Sequence, residues 1–119
     1  MNLERLRACC MGFPGATEQI QWGDDLVFKV GGKMFAVAAT NPAAPYQLSF
    51  KCSDEGFAEL VEQDGMAPAP YLARAKWVAL ERFDTLPVRE LTPLVKRSYE
   101  LVAAKLAKSA RAKLTLPKR

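Results

Sequence analysis

The 119-residue sequence contains no histidine, which removes the commonest general base and the commonest metal ligand together. Long apolar runs are also missing. No stretch approaches the roughly 20 residues needed to span a bilayer. The opening Met1-Asn2-Leu3-Glu4-Arg5-Leu6-Arg7 interrupts its leucines with charges, unlike an export signal. A soluble, cytoplasmic protein with no membrane partner is expected. Cysteine is scarce, at Cys9, Cys10 and Cys52 only. The adjacent pair is poorly placed to bridge to itself and lacks the two-residue gap of a metal-binding or redox pair, and the odd count leaves at least one thiol unpaired. Reduced and mostly packed thiols, no metal and no cofactor are the expectation.

Other catalytic signatures are equally thin. Asp24-Asp25 and Glu55 with Glu59 could serve as carboxylate pairs, but an acidic turn and a helix first turn account for them without catalysis. Gly31-Gly32-Lys33 lacks the glycine spacing and following helix of a phosphate-binding loop. There is no internal repeat, low-complexity segment or linker. The residues point away from an enzyme. One acting on a small metabolite would need a pocket of convergent polar groups, which only a tertiary structure reveals.

The chain is half apolar, enough for one core and one domain over residues 1–119. Its net charge of +4 is unevenly spread. Residues 1–95 hold 9 Lys/Arg against 12 Asp/Glu, whereas residues 96–119 hold 8 Lys/Arg against Glu100 alone. The C-terminal +7 makes a polyanion a plausible partner.

Asn2 as N-cap, the spacing of Leu3, Leu6 and Cys10, and Gly12 with Pro14 predict a first helix of about ten residues. Thr17 to Trp22 reads as a strand. Leu26 to Val30 and Lys33 to Ala39 flank Gly31-Gly32, a pair suited to a tight hairpin turn. That register sets Val30 opposite Lys33 and Phe28 opposite Phe35. One face then carries Leu26, Phe28, Val30, Phe35 and Val37, the other Val27, Lys29, Met34 and Ala36. Tyr46 to Lys51 alternates as a strand. Ser53 caps a second helix closed by Gly65, Met66 to Tyr71 reads as a proline-broken connection, and Lys76 to Arg82 as a strand. The last helix starts near Pro87 or, with Thr92 as cap and Pro93 first, five residues later. It sets Leu91, Val95, Val102 and Leu106 against a basic face of Lys96, Arg97, Lys108 and Arg111. Residues 110–119 read as a frayed basic tail. The sum is an α+β domain, an antiparallel sheet of about five strands packed with helices. Trp22, Phe28, Phe35, Phe50, Trp77 and Tyr99 are expected in its core.

Four landmarks occur in order: Trp22-Gly23, Gly31-Gly32-Lys33-Met34-Phe35-Ala36, Lys76-Trp77-Val78 and Ser98-Tyr99. Together they resemble the MmcQ/YjbR-like family over about residues 3–106. The resemblance implies the same α+β fold. It also implies the "double wing" mode of DNA binding proposed for that family, in which projecting hairpins grip phosphates with cations. Carried onto this chain, Lys33 and Lys76 lie inside the matching motifs. Lys29, Lys51 and Arg74 are added on charge and position, and Arg97, Lys108 and Arg111 from the basic helix face.

Each has a plainer reading. Neighbours in a strand point to opposite faces, so Phe28-Lys29, Phe50-Lys51 and Lys76-Trp77 also fit rings in the core and lysines in solvent. A basic helix face is often simply solvated, and Ser98-Tyr99 fits packing plus a hydroxyl hydrogen bond. With no base-reading helix evident, DNA binding would be phosphate-led and weakly sequence-selective. The alternative is a protein-interaction or chaperone-like domain that recruits a partner along an edge strand or helix face. Salt dependence separates the two.

Overall fold

Asn2 starts the first helix as its position predicts. Its side-chain oxygen accepts the Arg5 N–H at 2.8 Å, satisfying one of the orphan donors of α1, Leu3–Met11, which buries Leu6 and Cys10. The structure, a computed structural model, describes residues 1–106. The expected basic tail over 110–119, with Lys108 and Arg111, lies outside the described residues.

Six strands follow among the described residues: β1 Ala16–Gln21, β2 Asp25–Val30, β3 Lys33–Ala39, β4 Leu48–Lys51, β5 Met66–Pro68 and β6 Trp77–Leu80. They form one antiparallel sheet in the order β1-β2-β3-β4-β6-β5. Helix α2, Asp54–Leu60, is capped by Ser53, whose hydroxyl accepts the Gly56 N–H at 3.1 Å. Helix α3 is Val88–Ala103. Leu6 and Cys10 of α1, Leu60 of α2, and Leu91, Val95, Tyr99 and Val102 of α3 share one core with Phe28, Val30, Phe35, Phe50, Val78 and Leu80 of the sheet. The three described helices therefore contribute to one core on one face. On the other face Trp77 and Ala79 form a smaller cluster with Ala69, flanked by Met34, Val37, Tyr46 and Leu72. No described helix is long and apolar enough to cross a membrane.

The hairpin departs from the expected register. Val30 does lie opposite Lys33, but Phe28 pairs with Ala36 and Lys29 with Met34, so Phe35 is the extra residue of a β-bulge. One inserted residue inverts the alternation beyond it. Phe35 and Ala36 both enter the main core, and Val37 turns to the helix-free face beside Met34. The strand alternation at Trp77 and Ala79 against Val78 and Leu80 is as predicted.

Other differences have local causes. Met66–Pro68, read as a connection, is a sixth strand, and its proline is tolerated because β5 lies at the sheet edge. Lys76 is not in a strand: its φ of 65° is left-handed, so β6 begins at Trp77. Helix α2 stops at Leu60, short of Gly65. Of the two starts left open for α3, the earlier holds, with Pro87 as N-cap and Pro93 inside the helix. Pro93 is on the exposed side, where the Arg89 carbonyl it leaves without a donor can be hydrated. Trp22 is the one misplaced aromatic. It is 65% exposed in the β1–β2 turn with φ 51°, while Phe28, Phe35, Phe50, Trp77 and Tyr99 are buried.

Candidate functional site

The glycine turn sets the first candidate site. Gly31 and Gly32, at φ 57° and 80°, reverse the chain tightly and bring Lys33 into the open at the start of β3. A Cβ on Gly31 would come within 2.7 Å of the Leu106 side chain, so the hairpin tip and the chain beyond α3 are in close contact. Beside them Lys33, Lys51 and Lys105, with Met34, Trp77, Val102 and Leu106, line a cleft of about 410 Å³. Among the described residues no acidic side chain lines it. The Lys51 ammonium donates to the Ala75 carbonyl. Burial first, and then the neighbouring Lys105 charge, lowers its pKa from the ordinary lysine value, against an opposing pull from Asp54.

The structure thus brings together two of the eight residues expected to bind nucleic acid, Lys33 and Lys51. Lys29 is half-buried opposite Met34, which borders the same cleft. Lys76 is turned to α2, its ammonium 5.3 Å from the Phe57 ring centroid. Arg74 is exposed in the short 3₁₀ turn Ala73–Ala75, outside the cleft lining. Arg97 lies on the solvent side of α3, 3.9 Å from Glu100. Lys108 and Arg111 lie outside the described residues. Lys105, in the turn after α3, has no sequence signal as a site residue, because a lone lysine at a helix end looks merely solvated. Only the hairpin packing against Leu106 makes it part of a cluster.

A second concavity, of about 610 Å³, occupies the helix-free face. Its lining is mainly apolar: Met34, Val37, Ala39, Pro45, Ala69 and Leu72, with Trp22, Tyr46, Tyr71, Ser49 and Asp25. Sequence periodicity did not reveal it. The available signal was a set of rings beside turn residues, in Trp22-Gly23, Pro45-Tyr46 and Pro70-Tyr71.

Ser98 and Tyr99 have structural partners. The buried Ser98 hydroxyl donates to the Phe35 carbonyl at 2.6 Å and accepts the Lys51 N–H at 2.9 Å. Tyr99 donates to the Pro14 carbonyl at 2.6 Å and stacks on Phe13 at 4.7 Å. All three cysteines are free, and no cluster of metal-binding side chains occurs among the described residues. Burial raises the Cys9 and Cys10 thiols above their ordinary pKa and pushes Cys52 to about 11. Cys10 and Cys52 are buried and Cys9 is half-buried. A thiol reagent should therefore label at most Cys9 quickly in native protein and all three after denaturation, because the thiolate is the reacting species. Rapid labelling of Cys52 in the native state would contradict this placement.

The comparisons with known proteins follow the fold. A family model described as YjbR matches residues 11–101. The chain belongs to the YjbR family. A crystal structure of a Deinococcus radiodurans protein with the family-model domain DUF419 is 33% identical to this YjbR chain, at a TM-score of 0.83. That match covers 98% of this chain and 89% of that one. A Pseudomonas syringae protein shares the fold at 19% identity and a TM-score of 0.70, covering 86% of this chain and 99% of that one. No curated protein matches.

Proposed function

We propose that this YjbR-family chain is a non-enzymatic DNA-binding module whose contacts are phosphate-led and weakly sequence-selective. The observation that carries the reading is the convergence of Lys33, Lys51 and Lys105 on one cleft with no acidic lining residue among those described. A phosphate there would offset the Lys105 repulsion that adds to burial in lowering the Lys51 pKa. In sequence, residues 107–119 add five Lys/Arg and no acid. The acidic balance of residues 1–95 disfavours a wider footprint.

Anisotropy titrations of a labelled duplex at several salt concentrations test the reading. Wild type should bind unrelated sequences alike and weaken steeply with salt. Replacing Lys33, Lys51 and Lys105 together by Gln should weaken all of them, the slope of log K against log salt falling by about 0.9 for each lost phosphate contact. Normal binding by the triple variant, with loss on truncation after Leu106, would assign the affinity to the basic tail and overturn the cleft. No binding by wild type at low salt would overturn DNA binding itself.

A further inference from the structure

The groove on the helix-free face is built differently from the lysine cleft. Its floor is sheet: Met34 and Val37 of β3 and Ser49 of β4. Trp22 enters from the β1–β2 turn and Tyr71 from the connection after β5, so the two rings flank the floor from opposite ends of the strand order. Both are highly exposed, at 65% and fully, and both have left-handed backbones, with φ 51° and 67°. Non-glycine residues seldom adopt that conformation, and strain of this kind concentrates at functional sites. The main core gains nothing from either ring. Tyr46 supplies a third ring to the lining.

The one formally charged side chain in that lining is Asp25. Among the described residues no Lys or Arg pairs with it. Burial, and secondarily Asp24, raises its pKa above the ordinary carboxylate value, the response of a carboxylate short of a compensating charge. A volume of about 610 Å³ lies within the range of small-molecule sites, which are mostly apolar with a few placed polar groups. Electron-rich ring faces and a carboxylate favour the same ligand charge.

From the three rings and the lone carboxylate of this groove, we infer that it is a binding site for a small organic cation, an ammonium group on an apolar, flat body. The rings supply cation–π and stacking faces, Asp25 the counter-charge, and Met34 and Val37 the apolar floor. Anions are disfavoured by Asp25, which separates this groove from the phosphate-binding cleft proposed at the hairpin end. The inference does not depend on DNA binding.

Benzyltrimethylammonium is a suitable probe and neutral neopentylbenzene its near-isosteric control. Trp22 is exposed and Trp77 only 4% exposed, so changes in tryptophan emission on titration report the groove, and calorimetry measures affinity independently. The cation should bind and the neutral control should bind at least threefold more weakly. Asp25→Asn and Tyr71→Ala should each weaken the cation by threefold or more, the lower range of exposed cation–π and charge contacts. Trp22→Ala should remove the emission change as well as affinity. Equal binding of cation and control would overturn the charge assignment. No binding of either by calorimetry, or wild-type affinity in both Asp25→Asn and Tyr71→Ala, would overturn the site. Trp22 and Tyr71 are exposed and Asp25 is half-buried, and unchanged melting curves would show that a loss of binding is not a loss of fold.

Discussion

Phe35→Ala is expected to lower stability by about 3 to 5 kcal/mol, the usual cost of truncating a fully buried aromatic. Phe35 is fully buried and central to a ring cluster. Its centroid lies 5.9 Å from Phe13 and 5.4 Å from Tyr99, both edge-on, and 6.4 Å from Phe28. Each such pair contributes about 0.5 to 1.5 kcal/mol beyond area burial. The substitution would thus remove a large part of the roughly 5 to 15 kcal/mol that holds a domain together. Trp22→Ala is the contrast. The larger ring is mostly in solvent, and its loss should shift stability by no more than about 0.5 kcal/mol. Urea midpoints at constant slope measure both. Equal midpoints for the two variants would refute the core assignment.

Ser98→Ala should lower stability by about 2 to 4 kcal/mol although it removes a single oxygen, because a buried polar group left without a partner costs about 1 to 3 kcal/mol. Two groups lose theirs. The β3–β4 ladder ends at Ala36 opposite Phe50. Just beyond it the bulge leaves the Phe35 carbonyl and the Lys51 N–H without strand partners, and the Ser98 hydroxyl bridges them. Helix α3 thereby completes the sheet with one side chain. Hydrogen exchange gives a second measure: the Lys51 amide should lose protection out of proportion to Ser49. Retained protection at Lys51 with an unchanged melting temperature would show that another donor, such as water, serves the bulge. Lys51 also projects into the lysine cleft, so this bridge ties the core to the proposed DNA contact.

Much of the architecture was legible in sequence because it rests on local chemistry. Asn2 and Ser53 cap helices with their own oxygens, Gly31-Gly32 accept positive φ, and the period of Trp77 to Leu80 sorts two faces. The errors share a cause, in that tertiary partners overrode local pattern. The bulge at Phe35 moved Ala36 and Val37 to opposite faces from those expected, because Ser98, 63 residues away, satisfies the carbonyl it strands. Met66–Pro68 became a strand only because β6 offered an edge.

By itself the sequence determined the α+β class, the lack of histidine chemistry, the paired glycines of the hairpin and the basic C-terminal charge. These follow from composition, period and single-residue conformational preference, which act over a few residues. Only the tertiary structure decided which lysines share a cleft, that Lys105 joins them, and that Trp22, Tyr46, Tyr71 and Asp25 line one groove. Those groupings join residues up to 72 positions apart in the chain, from Lys33 to Lys105. Such proximity is set by strand order and helix packing, and a single sequence carries no local signal for it.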